Sequence, residues 1–366
     1  MKNFHRLKFV SAIVILFLLS GAAYAEPTVV EGVIGPGSLY GIYVPEGWNG
    51  SVVFYAHGYS QLLNPIALPS APEEIQLRDG LMELGYAVAW SSYSANGLAV
   101  KEGIQQTHQL KGLFTDYFGE PVRSYVIGES MGGTIALALA EKYPSQYDGA
   151  LPMCGFVGGT LAENDYYGHL GALFDYFFPG VLPNDPEGWD GFDLFWLVFG
   201  AVTSDLARSA EMAQVDQLEL PGMNAFQLAL AIAYAAPFTV IEPQLREPWI
   251  NNAETIYSGS LDDAALNARV TRYDRSPSTV NYLSHYYEPT GKLRIPVLTM
   301  HDTMDPINPF WHEEIYAERV QTHGASDLLL QRTFEQWGHC VFSVQERIDA
   351  FLDLVDWVEN GTKPMP

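Results

Sequence analysis

The stretch Ser124-Tyr125-Val126-Ile127-Gly128-Glu129-Ser130-Met131-Gly132 decides the fold that we expect for this chain. Its first four residues form a strand-like run, and residues 133–144 that follow are rich in alanine and leucine up to a closing proline, which predicts a helix. The chain therefore passes from a strand to a helix through a sharp turn. Glycines on both sides of the serine let the strand and helix approach closely, and the serine stands exposed at the tip in a strained conformation.

This turn has the G-x-S-x-G pattern, which presents a serine hydroxyl as a nucleophile between a strand and a helix. The short pattern is common by chance, but a strand before it and a helix after it are the context typical of the motif. The alternative is a tight glycine turn with an inert serine. Because a serine hydroxyl is a weak nucleophile by itself, it needs a base to take its proton and an acid to orient that base.

Two later segments each supply polar groups directly after a predicted strand. Residues 293–300 have the pattern of a buried strand and lead into His301-Asp302-Thr303-Met304-Asp305-Pro306. Residues 327–334 predict another strand, followed by a short loop with Gly338-His339-Cys340. A serine, an acid and a histidine thus follow one another along the chain in the order that accompanies the G-x-S-x-G turn.

On these motifs the sequence resembles the α/β-hydrolase superfamily of esterases, lipases and related enzymes. The resemblance implies that Ser130 is the nucleophile, Asp305 the acid and His339 the base. Asp302 stands where many relatives have glycine, and it is a rival for the acid. We favour Asp305 because it holds the family position and precedes a proline that ends the turn.

The other histidines near this region are expected to have different roles. His312 and His323 lie in or at the end of a predicted helix, residues 309–322, and we expect both to be solvated. His301 is expected to end a strand and to be structural.

A further element of the resemblance lies upstream, where the strand pattern of residues 51–56 ends in His57-Gly58-Tyr59. In the resembled family a His-Gly pair here leads into the loop that stabilises the negative oxygen of a tetrahedral intermediate. The backbone N–H groups of Tyr59 and Met131 would form this oxyanion hole, each worth roughly 3 kcal/mol. His57 is expected to bond to the backbone rather than to act as the base.

Strand and helix patterns alternate through most of the chain, after an antiparallel pair predicted at residues 28–34 and 38–44. This alternation predicts an α/β fold with a mostly parallel central sheet flanked by helices. Ligands bind such sheets beyond the carboxyl ends of the strands. Since Tyr59, Ser130, Asp305 and His339 all follow predicted strand ends, we expect them to meet at one edge of the sheet.

The sheet pattern is interrupted at residues 156–290, so we predict a core formed by residues 26–155 and 291–366. The resemblance implies that the insertion is a mainly helical cap over the site, joined through loops at residues 155–159 and 287–292. The insertion is rich in aromatic side chains, most of which we expect to form its own core while a few face an apolar substrate. They are Tyr166, Tyr167, Phe174, Tyr176, Phe177, Phe178, Trp189, Phe192, Phe195, Trp196 and Phe199.

The first 25 residues predict a secretory signal peptide. Three basic residues precede an apolar run at residues 9–19, and Ala23-Tyr24-Ala25 forms a small-x-small cleavage site. The apolar run is too short for a membrane anchor. We therefore expect export to the periplasm or the medium, with a mature chain that starts near Glu26.

The chain is strongly acidic, with a formal net charge of −24. Removal of residues 1–25, which hold three basic and no acidic residues, changes this charge to −27. Such a charge disfavours nucleic acid and anionic membrane surfaces as partners. The sequence does not indicate an oligomeric state.

Two cysteines occur, Cys154 after a predicted strand and Cys340 beside His339. An exported protein reaches an oxidising space, so these residues could form a disulfide at the rim of the site, with two buried free thiols as the alternative. The sequence contains no HExxH, CxxC or EF-hand motif, and it gives no reason to expect a metal or cofactor.

Taken with the resemblance, these features imply an exported serine hydrolase that cleaves carboxylic esters, either small or polymeric, with an apolar portion. An aminopeptidase or prolyl-type peptidase is an alternative, for which Glu163, Asp165 and Asp175 could recognise a substrate amine. An acyltransferase is a second alternative. A non-catalytic binding protein of the same fold is a third, although such proteins usually lose one of the three catalytic residues.

Overall fold

The computed structural model of the protein describes residues 27–62, 64–183, 191–218, 223–235 and 248–365. The predicted signal peptide at residues 1–25 and the side chains of Trp189 and Phe192 lie outside the described residues. Among the described residues, no helix is both long enough and apolar enough to cross a membrane.

The centre of the protein is an eight-stranded sheet with the order β1-β2-β4-β3-β5-β6-β7-β8. Its β1–β2 and β2–β4 pairs are antiparallel and the other pairs are parallel. Every residue of β3, β4 and β6 is buried, as expected for strands covered on both faces. The strands are β1 (Thr28–Ile34), β2 (Ser38–Val44), β3 (Ser51–Ala56), β4 (Ala87–Ser91), β5 (Arg123–Glu129), β6 (Gly149–Met153), β7 (Val297–Met304) and β8 (Leu329–Trp337).

Helices cover both faces of this sheet. Apolar residues of α2, α3, α9 and α10 join one hydrophobic cluster with one face, and those of α1 and α11 join a second cluster with the other face. The helices are α1 (Pro72–Glu83), α2 (Val100–Phe118), α3 (Met131–Lys142), α4 (Thr160–Phe177), α5 (Gly191–Ser204), α6 (Leu206–Ala213), α7 (Ala225–Ala235), α8 (Asp263–Arg269), α9 (Pro277–Tyr287), α10 (Trp311–Thr322) and α11 (Val344–Asn360). The predicted α/β fold with a mostly parallel sheet is confirmed.

Between β6 and β7, the part of the chain that the structure describes contains six α-helices, α4 to α9. Side chains of α4, α5, α6 and α7 form a hydrophobic cluster that is separate from the two clusters on the sheet. Tyr166, Tyr167, Phe174, Phe177 and Phe178 are buried within it. This segment is mainly helical, as expected for residues 156–290, and the division of the chain into core and cap stays a prediction.

The last two strands of the sheet differ from the predicted strands. The β7 ladder begins at Val297 rather than near residue 293, since Pro296 directly before it lacks an N–H group. The strand then continues through His301 and Asp302 to Met304, which pairs with Trp337 of β8 beyond an irregularity in the register. Because β7 continues beyond its apolar run, His301 lies within the strand, and its side chain is buried.

Candidate active site

Ser130 lies between β5 and α3 in the expected sharp turn. Its backbone has φ 56° and ψ −125°, a conformation that a residue with a side chain rarely adopts. A Cβ atom at Gly128 would collide with the carbonyl of Gly132, and one at Gly132 would collide with the carbonyl of Ala56. The two glycines are therefore required by the close packing of the strand, the helix and β3.

The structure brings Ser130, His339 and Asp305 into one hydrogen-bonded chain. The His339 Nε2 atom lies 2.8 Å from the Ser130 hydroxyl, and its Nδ1 atom lies 2.6 Å from Asp305 Oδ2. The Asp305 side chain is fully buried, whereas 19% of the His339 side chain is exposed. When Nδ1–H donates to the carboxylate, Nε2 is left to accept the serine proton, which is the arrangement that acid–base assistance to a serine requires.

Asp305 rather than Asp302 contacts the histidine. The other carboxylate oxygen of Asp305 accepts the backbone N–H groups of Ile307 and Asn308 at 2.8 and 3.1 Å, which fixes its orientation. Asp302 instead accepts the Gln336 amide at 2.6 Å and the N–H of Val341 at 3.1 Å. Burial raises the pKa of Asp302, and its hydrogen bonds attach the loop that carries His339 to β7.

His301 forms a second contact with the acid, which the sequence did not reveal. Its Nδ1 lies 3.1 Å from Glu313 Oε1, its Nε2 lies 2.8 Å from the carbonyl of Asn308, and Asp305 Oδ2 is 3.7 Å away. Burial alone would lower the pKa of His301, but the hydrogen bond and charge of Glu313 together with Asp305 raise it to about 9. A buried cation thus lies behind the carboxylate that holds His339.

The loop after β3 runs beside Ser130, and its role as an oxyanion loop stays a prediction. A Cβ atom placed on Gly58 would lie 3.4 Å from Ser130 Cβ, so the segment leading to Tyr59 borders Ser130. On the other side, Met131 is the first residue of α3, and N–H groups in a first helical turn have no acceptor within the helix. Both predicted donors therefore belong to segments that adjoin Ser130.

His57 holds this loop rather than taking part in proton transfer. Its Nδ1 donates to the Gly58 carbonyl at 2.7 Å, and its ring stacks on Tyr93 with centroids 3.9 Å apart. Burial lowers the pKa of His57 to about 4, which makes it a neutral donor. This is the structural role that the sequence analysis expects for it.

Cys154 and Cys340 form a disulfide, which the sequence left open against two free thiols, and their Cα atoms are 5.5 Å apart. It joins the end of β6 to the residue that follows His339. Arg347 of α11 adds a connection that sequence reasoning missed, because it binds both carboxylate oxygens of Glu129 at 2.7 and 3.0 Å and the Cys340 carbonyl at 3.0 Å. The histidine loop is therefore fixed to the strand end that precedes Ser130.

His312 is buried, and the expectation that it is solvated was wrong. Its Nδ1 accepts the N–H of Gly158 at 3.0 Å, and its Nε2 contacts Glu163 of α4. Burial lowers the pKa of His312 and raises that of Glu163, so the pair is neutral. The polar contacts of His312 with Gly158 and Glu163 replace its contacts with water. A helical pattern in the sequence does not reveal partners of this kind.

Tyr234, at the end of α7, is another residue that the sequence analysis did not single out. Its phenol hydrogen-bonds to the Ser130 side chain, and its ring lies 5.9 Å from both the Tyr59 and the Tyr167 rings. An inserted helix therefore contributes directly to the surroundings of the serine.

One group of three potential metal-binding side chains occurs among the described residues, and it consists of Cys154, His339 and Cys340. Because the two cysteines are joined by a disulfide, they offer no thiolate to a metal.

Comparisons with known proteins agree with this architecture. A family model described as "Putative esterase" matches residues 107–215, which include the serine turn. No curated protein matches the chain in sequence. Among solved structures, feruloyl esterase B from Aspergillus oryzae is similar, with a TM-score of 0.51 and 14% identity over 92% of this chain and 80% of that one.

Two further similar structures have lower scores. The Pyrococcus furiosus esterase Pf2001 has a TM-score of 0.48 and 13% identity over 93% of this chain and 94% of that one. The acylaminoacyl peptidase of Pyrococcus horikoshii has a TM-score of 0.45 and 14% identity over 93% of this chain and 42% of that one. The likeness to the feruloyl esterase concerns the fold alone, and at that level the resemblance to α/β-hydrolases is confirmed.

Proposed function

Since the protein has the α/β-hydrolase fold and its serine turn lies within a match to an esterase family, we propose that it is an exported serine hydrolase of carboxylic esters. The observation that carries the proposal is the hydrogen-bonded chain from the Ser130 hydroxyl through His339 to the buried Asp305. Ser130 is the nucleophile, His339 the general base and Asp305 the group that orients the imidazole.

In this mechanism Ser130 Oγ attacks the ester carbonyl while His339 Nε2 takes its proton. The negative oxygen of the tetrahedral intermediate is stabilised by the N–H groups of Tyr59 and Met131. His339 then returns the proton to the departing alcohol, and the acyl group remains on Ser130. Water, activated by the same histidine, attacks the acyl-enzyme and releases the acid.

The inserted helices support an ester substrate more than a substrate with a free amine. Glu163 is buried against His312, and Asp165 is paired with Arg275 at 3.1 Å and with the N–H of Asn251 at 2.9 Å. Carboxylates with these partners are not placed to bind an amine. A peptidase would release p-nitroaniline from aminoacyl-anilides, whereas a carboxylic ester hydrolase would cleave the short-chain esters and leave the anilides intact, so turnover of the two series separates these activities.

Export is supported by the predicted signal peptide and by the disulfide, because disulfides persist in oxidising compartments. The bridge lies next to His339, so an oxidising compartment, which keeps the bridge intact, would also preserve the position of the base.

The proposal is tested by turnover of p-nitrophenyl esters of increasing acyl length. Replacement of Ser130 by alanine is expected to reduce kcat by about 10⁶-fold, since loss of the nucleophile removes the acyl-enzyme route. Ser145→Ala is the matched control, because Ser145 lies in an exposed turn after α3, and this variant is expected to retain full turnover. Ester hydrolysis by Ser130→Ala at the rate of the unmutated protein would contradict the assignment.

A further inference from the structure

Tyr234 belongs to a different part of the chain from the other groups around Ser130. The serine, the histidine, the acid and the Gly58–Tyr59 loop all follow strands of the sheet, whereas Tyr234 belongs to α7 of the inserted segment. Its phenol nevertheless hydrogen-bonds to the Ser130 side chain. Its ring also contacts the ring of Tyr59 edge-on, with centroids 5.9 Å apart, so it lies on the side of the serine where the oxyanion loop runs.

The direction of this hydrogen bond follows from the other partner of Ser130. The serine proton is directed at His339 Nε2, 2.8 Å away, so the serine oxygen accepts from the phenol. Burial raises the pKa of Tyr234 above its ordinary value, and Tyr59, Glu163 and Asp305 raise it further, which together outweigh the lowering of this pKa by the contact with Ser130. The phenol therefore stays protonated and remains a donor at any pH at which the imidazole of His339 acts as a base.

We propose that Tyr234 is a catalytic residue that donates a third hydrogen bond to the oxyanion, beside the N–H groups of Tyr59 and Met131. The proposal rests on the proposed hydrolase function. When Ser130 Oγ bonds to the carbonyl carbon, the oxygen that becomes negative is attached to that same carbon. A donor that reaches Oγ in the free protein is thus separated from the oxyanion by only this carbon.

The contact changes partner during the reaction without transfer of the phenolic proton. In the free protein the phenol donates to a neutral oxygen, and in the intermediate it donates to a charged one. Hydrogen bonds to charged oxygens are the stronger, so the interaction stabilises the intermediate more than the starting state. A consequence is that the inserted segment completes the catalytic site.

The test compares Tyr234→Phe with the unmutated protein on a p-nitrophenyl ester. The variant keeps the ring that packs on Tyr59 and Tyr167, and it loses only the hydroxyl. We expect kcat to fall by about 100-fold with little change in KM, because removal of one oxyanion donor costs about that much. Affinity for a trifluoromethyl ketone, whose adduct with Ser130 carries an oxyanion, is expected to fall by a similar factor.

Tyr257→Phe is the matched control. Tyr257 is a buried tyrosine of the same inserted segment, and its hydroxyl bonds to His169 and Asn252, each at 2.9 Å, rather than to the serine. This variant is expected to keep the kcat and the ketone affinity of the unmutated protein. If it lost both as Tyr234→Phe does, the effect would be one of packing and the proposal would be wrong.

A variant with 3-fluorotyrosine at position 234 guards against a folding defect, since it restores both the shape and the hydroxyl. It is expected to return kcat to within a few-fold of the unmutated protein, and failure to do so overturns the proposal. A Tyr234→Phe protein with unchanged kcat also overturns it, even if ester turnover by the unmutated protein upholds the hydrolase function. If the unmutated protein neither hydrolyses esters nor forms the ketone adduct, both proposals fail.

Discussion

At the level of single residues, Asp302 near the end of β7 and Asp305 directly after this strand have different hydrogen-bond partners, although they are only three positions apart. Asp305 holds the imidazole of His339, while Asp302 accepts hydrogen bonds from Gln336 and Val341 in the segment that carries this histidine. One carboxylate orients the imidazole of His339, and the other fixes the loop that carries it. Both are buried, so burial alone does not distinguish them.

Because the two carboxylates have different partners, replacement of each by a neutral amide is expected to lower kcat by different amounts. Asp305→Asn is expected to lower kcat for ester hydrolysis by about 10⁴-fold, because the amide no longer selects the tautomer that accepts the serine proton. Asp302→Asn keeps an acceptor for Val341 and is expected to lower kcat by less than about 10-fold. Steady-state kinetics of the two isosteric variants on one ester measures both effects.

The two variants control for each other, because both exchange a buried carboxylate for an amide in the same strand and turn. A larger loss of kcat in Asp302→Asn than in Asp305→Asn would contradict the assignment of the acid.

At the scale of elements, β7 and α10 are joined by a buried ionic contact rather than by apolar packing alone. His301 of the strand bonds to Glu313 of the helix, and Thr299 and Gln331 also donate to the Glu313 carboxylate, at 2.7 and 2.6 Å. The contact lies directly behind Asp305. It therefore connects the stability of this part of the fold to the position of the acid.

The raised pKa of His301 predicts how this contact depends on pH. A folded pKa of about 9, above the ordinary value of 6.5, means that the charged histidine stabilises the fold fully below about pH 6.5. This contribution is lost as the pH rises through about 9, and it is on the order of 3 kcal/mol. We expect the difference in unfolding free energy between the unmutated protein and His301→Gln to shrink over this range.

Urea denaturation at intervals between pH 6 and pH 9.5 measures this difference. Thr299→Val serves as the control, since it removes a neutral partner of Glu313 and should lower stability by an amount that changes little with pH. Parallel stability curves for the unmutated protein and His301→Gln would show that His301 is neutral in the fold.

At the scale of the whole molecule, the site depends on segments that are far apart in the chain. The ends of β3, β5, β7 and β8 supply the residues, and the disulfide joins points separated by 186 positions. In the chain-entropy description, closing a loop of this length stabilises the fold by about 5 kcal/mol. The bridge also keeps the histidine loop against β6.

The proposed export and the disulfide together predict the covalent state of the mature protein. Intact-mass measurement of the periplasmic or secreted fraction, without reductant, is expected to give a chain that starts at Glu26 and has two hydrogens fewer than the dithiol. The same sample after reduction is the control, and it should gain those hydrogens. A protein that retains residues 1–25, or that alkylates at Cys154 and Cys340 before reduction, would contradict export or the bridge, respectively.

Sequence patterns predicted the features that depend on local chemistry. The antiparallel pair β1 and β2, the β5 turn at Ser130 and the order of the strand ends follow from apolar runs, glycines and prolines. Of the two alternatives that the sequence left open for the cysteines, the structure contains the disulfide. The catalytic roles of Ser130, Asp305 and His339 stay predictions, although the structure brings the three side chains into contact.

The contacts that sequence patterns missed are long-range and polar. Arg347 and Glu129 are 218 positions apart, and Tyr234 meets Ser130 only because inserted helices pack over the edge of the sheet. Burial of His312 depends in the same way on Glu163 of another helix. No periodicity along one chain segment specifies such partners, because tertiary packing selects them.

Activation of Ser130 as a nucleophile by His339 is the step on which the proposed mechanism depends, and covalent labelling measures it. The mature protein is treated with a fluorophosphonate, digested, and mapped by mass spectrometry, with His339→Gln treated in parallel. We predict one adduct, on the peptide that contains Ser130, and a loss of labelling rate of at least about 10³-fold in His339→Gln. A protein that is not labelled at Ser130, or that is labelled equally fast without the imidazole, would contradict this activation.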